Sequence, residues 1–146
     1  MTNDDSYAQE KGHPPSAANT VCIDFDGTIC PWGPLMEDRP PFRGVRNSLR
    51  ELKAAGYRIV ILTSRYSREW WADEAKTRGG DPGVFGWEQA NFVSGYMDRY
   101  GLPWDDITAQ KVPALAYFDD RARAVYSEDG DLKKAITFFL REQATP

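Results

Sequence analysis

The chain has 146 residues, of which 41% are hydrophobic and 27% charged, proportions that suit a single folded domain. Its net charge of -4 argues against nucleic-acid binding through a broadly basic surface, and no apolar run approaches the roughly 20 residues of a membrane-spanning helix. One histidine and two cysteines are too few for a zinc site of the usual Cys and His kind.

In chain order, residues 1–18 are polar, contain prolines and lack periodicity, which predicts a disordered tail ahead of one domain over 19–146. No basic stretch followed by an apolar one opens the chain, so no secretory leader is read and a cytoplasmic protein with reduced Cys22 and Cys30 is expected. The first predicted strand covers 21–25, within "VCIDFDGTIC". Val45, Leu49 and Leu52 then share one side of a helix over 45–55, with Gly56 placed to end it. "YRIVILT" predicts a second strand ending near Thr63. Ser67 reads as the N-cap of a helix through Arg78, closed by Gly79 and Gly80. A further helix over 87–100 turns Ala90, Val93, Met97 and Tyr100 to one face. "DITA" at 106–109 and "ALAYF" at 114–118 predict the third and fourth strands, and a short run at 124–126 a fifth. Asp131 is placed to cap a last helix with Leu132, Ala135, Ile136, Phe139 and Leu140 on one side.

Apolar strands alternating with helices predict an α/β fold: a doubly wound, Rossmann-like, mostly parallel five-stranded sheet with helices on both faces. In such sheets ligands bind beyond the carboxyl ends of the strands. Polar groups stand at those ends. Asp24 and Asp26 follow the first strand, Thr63 to Arg65 the second, Lys111 the third, and Asp119, Asp120 and Arg121 the fourth. Carboxylates crowded around one point repel unless a cation sits among them, and a hard divalent ion such as Mg2+ takes oxygen ligands of this kind. A lysine and a hydroxyl nearby suit phosphate oxygens, and an aspartate can attack phosphorus to form an acyl phosphate. An EF-hand reading fails, because positions six and twelve counted from Asp24 hold Ile29 and Leu35.

"CIDFDGT", "VILTS", Lys111 and "YFDD" resemble, in order, the four motifs of the haloacid dehalogenase superfamily of phosphohydrolases. The resemblance covers roughly residues 20–142. It implies a Mg2+-dependent phosphomonoester hydrolase working through an aspartyl phosphate. Asp24 would be nucleophile and metal ligand, and Asp26 the general acid and base, its carbonyl also on the metal. Thr63 and Lys111 would hold the phosphoryl oxygens, and Asp119 and Asp120 the metal. Arg65 is placed with the phosphate-binding groups, and Arg121 either reaches phosphate or pairs with a nearby acid. "TSR" and "DDR" also look like strand ends of capless nucleic-acid-end phosphatases, including the phosphatase domain of polynucleotide kinase.

About 18 residues separate Gly27 from the helix at Val45, room for a flap but not for a folded cap domain. The implied substrate is a phosphate ester, either a small molecule such as a nucleotide or a nucleic-acid end. No membrane partner is expected, and homo-oligomerisation is left open. The segment 66–86, a helix with Trp70 and Trp71 followed by a Gly-rich hinge, is extra to a minimal version of the fold. It reads as a partial lid, a subunit contact or a helix packed on the sheet's flank, and the tryptophans of the chain read as packing residues. Two alternatives stand beside the hydrolase: a phospho-acceptor signalling domain, and an inactive phosphate-binding scaffold.

Overall fold

A computed structural model describes residues 18–34, 36–126 and 128–145. The expected tail therefore lies, except for Ala18, outside the described residues. Four strands, β1 (Thr20–Ile23), β2 (Arg58–Leu62), β3 (Asp106–Thr108) and β4 (Ala116–Phe118), form a parallel sheet in the order β3-β2-β1-β4. The helices are α1 (Val45–Ala54), α2 (Arg68–Arg78), α3 (Pro82–Arg99) and α4 (Asp131–Ala144), and a 3-10 turn spans Ser64–Tyr66.

The α/β class and the parallel sheet agree with the sequence. The count of five strands does not. Residues 124–126 form no strand, and the sheet ends at β4. The two faces of the sheet are also unequally covered. Alternation along the strands sends Val21, Ile23, Ile59 and Ile61 to one face, where Leu49 of α1 and Val93, Tyr96 and Met97 of α3 pack on them. Cys22 and Val60 point the other way and meet Ala114, Val112 and Leu62. The β3–β4 connection, rather than a helix, covers that second cluster.

Each side chain such as Ile59, Ile61 or Val93, all 0% exposed, contributes about 1.5–3 kcal/mol by leaving water. The edge β3 is tied in by polar contacts. Asp105 accepts from the Ile59 N–H at 2.7 Å and pairs with Lys53. Partial burial is the largest single effect and pushes its carboxyl up, but the amide, ammonium and guanidinium groups around it together hold it below its ordinary range.

Helix α3 begins earlier than expected, at Pro82. The Asp81 side chain accepts from the Gly83 N–H at 2.9 Å, and a proline stands in the first turn, a strong start signal. The expected glycine hinge thus shrinks to Gly79 and Gly80, both at positive φ. Helix α2 packs on α3 through Trp71, whose indole sits where Gly86 leaves room. A Cβ there would come within 2.2 Å of the ring. Trp71 also donates to the Arg65 carbonyl at 2.9 Å. Within the 66–86 segment, α2 packs on α3 and on the Ser64–Tyr66 turn. Residues 31–44, Leu35 apart, form a flap without helix or strand among the described residues.

Candidate active site

Sheet register builds the site. Ile23 pairs with Phe118 across β1 and β4, so the next residues, Asp24 and Asp119, emerge side by side at the carboxyl ends of adjacent strands. The Asp24 N–H still bonds the Phe118 carbonyl at 2.9 Å, which holds Asp24 at the last point of regular pairing. Beyond it the Phe25 carbonyl accepts from the amides of Thr28, Ile29 and Cys30, folding "DGTI" into a tight turn. Gly27 is required there. Its φ is +82°, and a Cβ would come within 2.3 Å of both the Asp120 carboxylate and the Trp32 indole nitrogen. The Thr28 hydroxyl accepts from the Asp120 N–H at 3.1 Å, tying the β1 turn to the β4 turn.

Asp24, Asp119 and Asp120 present carboxylate oxygens that all lie within 4.8 Å of one another. The cost of that crowding shows in Asp24. Desolvation, then the charge of Asp119 and contact with Asp120, push its carboxyl up to about 7. Asp120 shifts the opposite way, held below its ordinary range chiefly by the Trp32 indole N–H, which donates to it at 3.0 Å. Three carboxylates and no nitrogen or sulfur ligand form a donor set for a hard cation.

The cluster opens on a cleft of about 890 Å3 lined by Asp24, Asp119, Thr63, Lys111, Trp32 and Arg121 among others. Thr63 is only 2% exposed. Its oxygen accepts from the Arg65 N–H at 3.1 Å, which leaves the hydroxyl hydrogen to donate. The Lys111 ammonium stands 4.8 Å above the Tyr117 ring at the mouth. Of the residues expected at the site, the structure therefore brings Asp24, Asp119, Asp120, Thr63 and Lys111 together.

It does not bring Asp26 and Arg65 to the cleft. Arg65, read from sequence as a phosphate ligand, is 3% exposed. Its guanidinium makes two parallel bonds to Asp26, both 2.8 Å, and a third to Gln89 at 3.3 Å. It also lies 5.2 Å from the centres of both the Phe25 and Phe92 rings. The 3-10 turn after Thr63 rotates residue 65 inward, where a buried acid meets it. Asp26 is likewise 3% exposed and spends both oxygens on Arg65.

Trp32 is the residue sequence reasoning missed. It reads as packing, yet it is 44% exposed, bonds Asp120 and carries the Arg121 guanidinium 4.4 Å above its ring. Arg121 accordingly sits on the cleft, stacked on an aromatic face. The only available signal was a tryptophan two residues past "GTIC" in a proline-rich loop.

Fold and site together define a parallel α/β protein with an acid-lined cleft at the carboxyl ends of its strands. No family model matches the chain, and no curated protein matches it. A solved crystal structure of a target protein from Vibrio cholerae is similar at 23% identity, over 85% of this chain and 98% of that one, with a TM-score of 0.49. Among the described residues no helix is long and apolar enough to cross a membrane.

Proposed function

We propose that the chain is a Mg2+-dependent phosphomonoester hydrolase of the haloacid dehalogenase type. One observation carries the reading: the Asp24, Asp119 and Asp120 oxygens lie within 4.8 Å of one another on a cleft that also holds Thr63 and Lys111. The three carboxylates would hold Mg2+, which when bound neutralises their repulsion and the charge of the phosphate. An Asp24 oxygen attacks phosphorus, the bond to the ester oxygen breaks, and the departing alkoxide takes the proton of the Asp26 carboxyl. Water then gives a proton to the Asp26 carboxylate and attacks phosphorus of the aspartyl phosphate, releasing phosphate and restoring the Asp24 carboxylate. The Thr63 hydroxyl and the Lys111 ammonium hold the non-bridging oxygens through both steps, and such electrostatic positioning is the main source of rate in phosphoryl transfer.

Asp26, two residues past the nucleophile, is the acid nearest in sequence for the proton transfers. To serve, its carboxylate must exchange Arg65 for the leaving-group oxygen. The cleft volume of about 890 Å3 supports an ester whose alcohol is larger than phosphate itself, a nucleotide or a nucleic-acid end among them. The test is a panel of phosphomonoesters with Mg2+, repeated in EDTA and with Asp24→Asn. Release of phosphate that both changes reduce at least about a thousandfold is expected. Equal turnover by Asp24→Asn would overturn the nucleophile.

A further inference from the structure

Helix α4 is apolar on a side that its own chain leaves open. Leu132 is 60% exposed, Ile136 49%, Phe138 60%, Phe139 42% and Leu140 60%, and no residue of the helix is buried. The helix is held to its chain along another line. Arg123 pairs with Glu142 at 3.1 Å and lies 5.8 Å from the Phe139 ring centre, while Asp131 and Ala135 are half-buried. At 3.6 residues per turn, Leu132, Ile136, Phe139 and Leu140 form one stripe about a third of a turn away from that line.

A second apolar feature lies elsewhere on the same chain. Between β1, β4 and α1 runs a groove of about 560 Å3, lined by Ile23, Ile29, Phe118, Leu49, Leu52 and Ala55 among others. Phe118 is 48% exposed there. No residue of α4 lines the groove. Arg43 and Glu51 stand on its rim, and the α4 stripe is bordered by Lys133 on one side and Asp131 on the other.

We propose that the chain forms a two-fold dimer in which α4 of each copy lies in the groove of the other. A half-exposed Leu, Ile or Phe offers roughly 100 Å2, so the four of the stripe and the matching groove remove roughly 800 Å2 from each copy. The total of about 1,600 Å2 is within the range of stable, specific interfaces. The helix, 14 residues long, measures about 21 Å. A foreign partner would cover only the ridge or only the groove. A second copy covers both, and the two-fold exchange closes on itself without leaving a free surface to propagate. The rim charges Arg43 and Glu51 meet helix flanks of opposite sign. The proposal stands on packing alone and is independent of the phosphatase reading.

The test is sedimentation equilibrium of the full chain over a concentration series, beside Ile136→Glu. A wild-type dimer is expected, with a dissociation constant that Ile136→Glu raises at least about tenfold by forcing a carboxylate into the apolar groove. A wild-type monomer, including one whose helix has docked in its own groove, contradicts the proposal, and so does a dimer indifferent to the variant. Should Ile136→Glu lose its helical circular dichroism, a second experiment decides. One chain carrying Ser48→Cys, a groove residue, is mixed with another carrying Ile136→Cys under mild oxidation. The native cysteines are free and buried and do not compete. A covalent mixed dimer is expected, and its absence overturns the exchange.

Discussion

Arg65 and Asp26 form a buried ion pair with bidentate geometry, closed on the outside by Gln89 and by two aromatic rings. Removing one partner of such a pair strands a charge in a low-dielectric interior, which typically costs about 3–5 kcal/mol. Arg65→Met is therefore expected to lower the unfolding free energy by that amount, read as a lower urea midpoint. A residue that only bound substrate phosphate would raise KM and leave the midpoint where it was. The pair was out of reach of sequence reasoning for a specific reason. Position after a strand places a residue at the sheet's carboxyl end, but the rotation of the following turn decides whether its side chain enters the cleft or the core. Asp24 and Asp119 escape that ambiguity, because each directly follows a residue of the paired register Ile23–Phe118. Their readings needed only the apolar runs and the acids that end them.

At the scale of elements, the flap after β1 is more than a connection. Trp32 donates to Asp120 while Arg121 covers its ring, so one loop residue orients an acid of the cluster from the far end of the chain. Trp32→Phe keeps the ring and removes the N–H. The Asp120 carboxylate then loses the donor that chiefly stabilises its charge, and weaker Mg2+ binding by isothermal titration, by a fewfold to about tenfold, is expected. Unchanged affinity would reduce Trp32 to a packing residue. No local pattern could announce this contact, because its partners lie 88 positions apart. The start of α3 is the opposite case. "DPG" at 81–83 is a helix-start signal in plain view, and the glycines around it drew the reading toward a hinge. The strand miscount has the same local origin. "AVY" has strand composition, but composition alone does not lay a segment along the β4 edge.

For the whole molecule, the acid cluster makes stability a function of pH and, on the proposed function, of metal. Asp24 is raised from 3.8 to about 7, first by desolvation and then by its acidic neighbours. A folded value above the unfolded one gives a stability contribution that is complete below the unfolded value and is lost as pH rises through the folded one. In EDTA, the wild-type Tm is therefore expected to fall relative to that of Asp24→Asn between about pH 4 and pH 7, because the amide does not titrate. Mg2+ should then raise the wild-type Tm more at about pH 8 than at about pH 5, since a cation and a proton compete for the same oxygens. A Tm difference between wild type and variant that ignores pH would show that Asp24 is not desolvated and crowded as described.

The central claim is that Asp24 attacks phosphorus, and mass spectrometry of the acid-quenched protein tests it most directly. Quenched during turnover of an accepted ester with Mg2+, the peptide carrying Asp24 should gain one phosphoryl group, and borohydride should reduce the acyl phosphate to a homoserine at position 24. Steady turnover with that peptide unmodified, or with the phosphoryl group on another residue, would contradict the account.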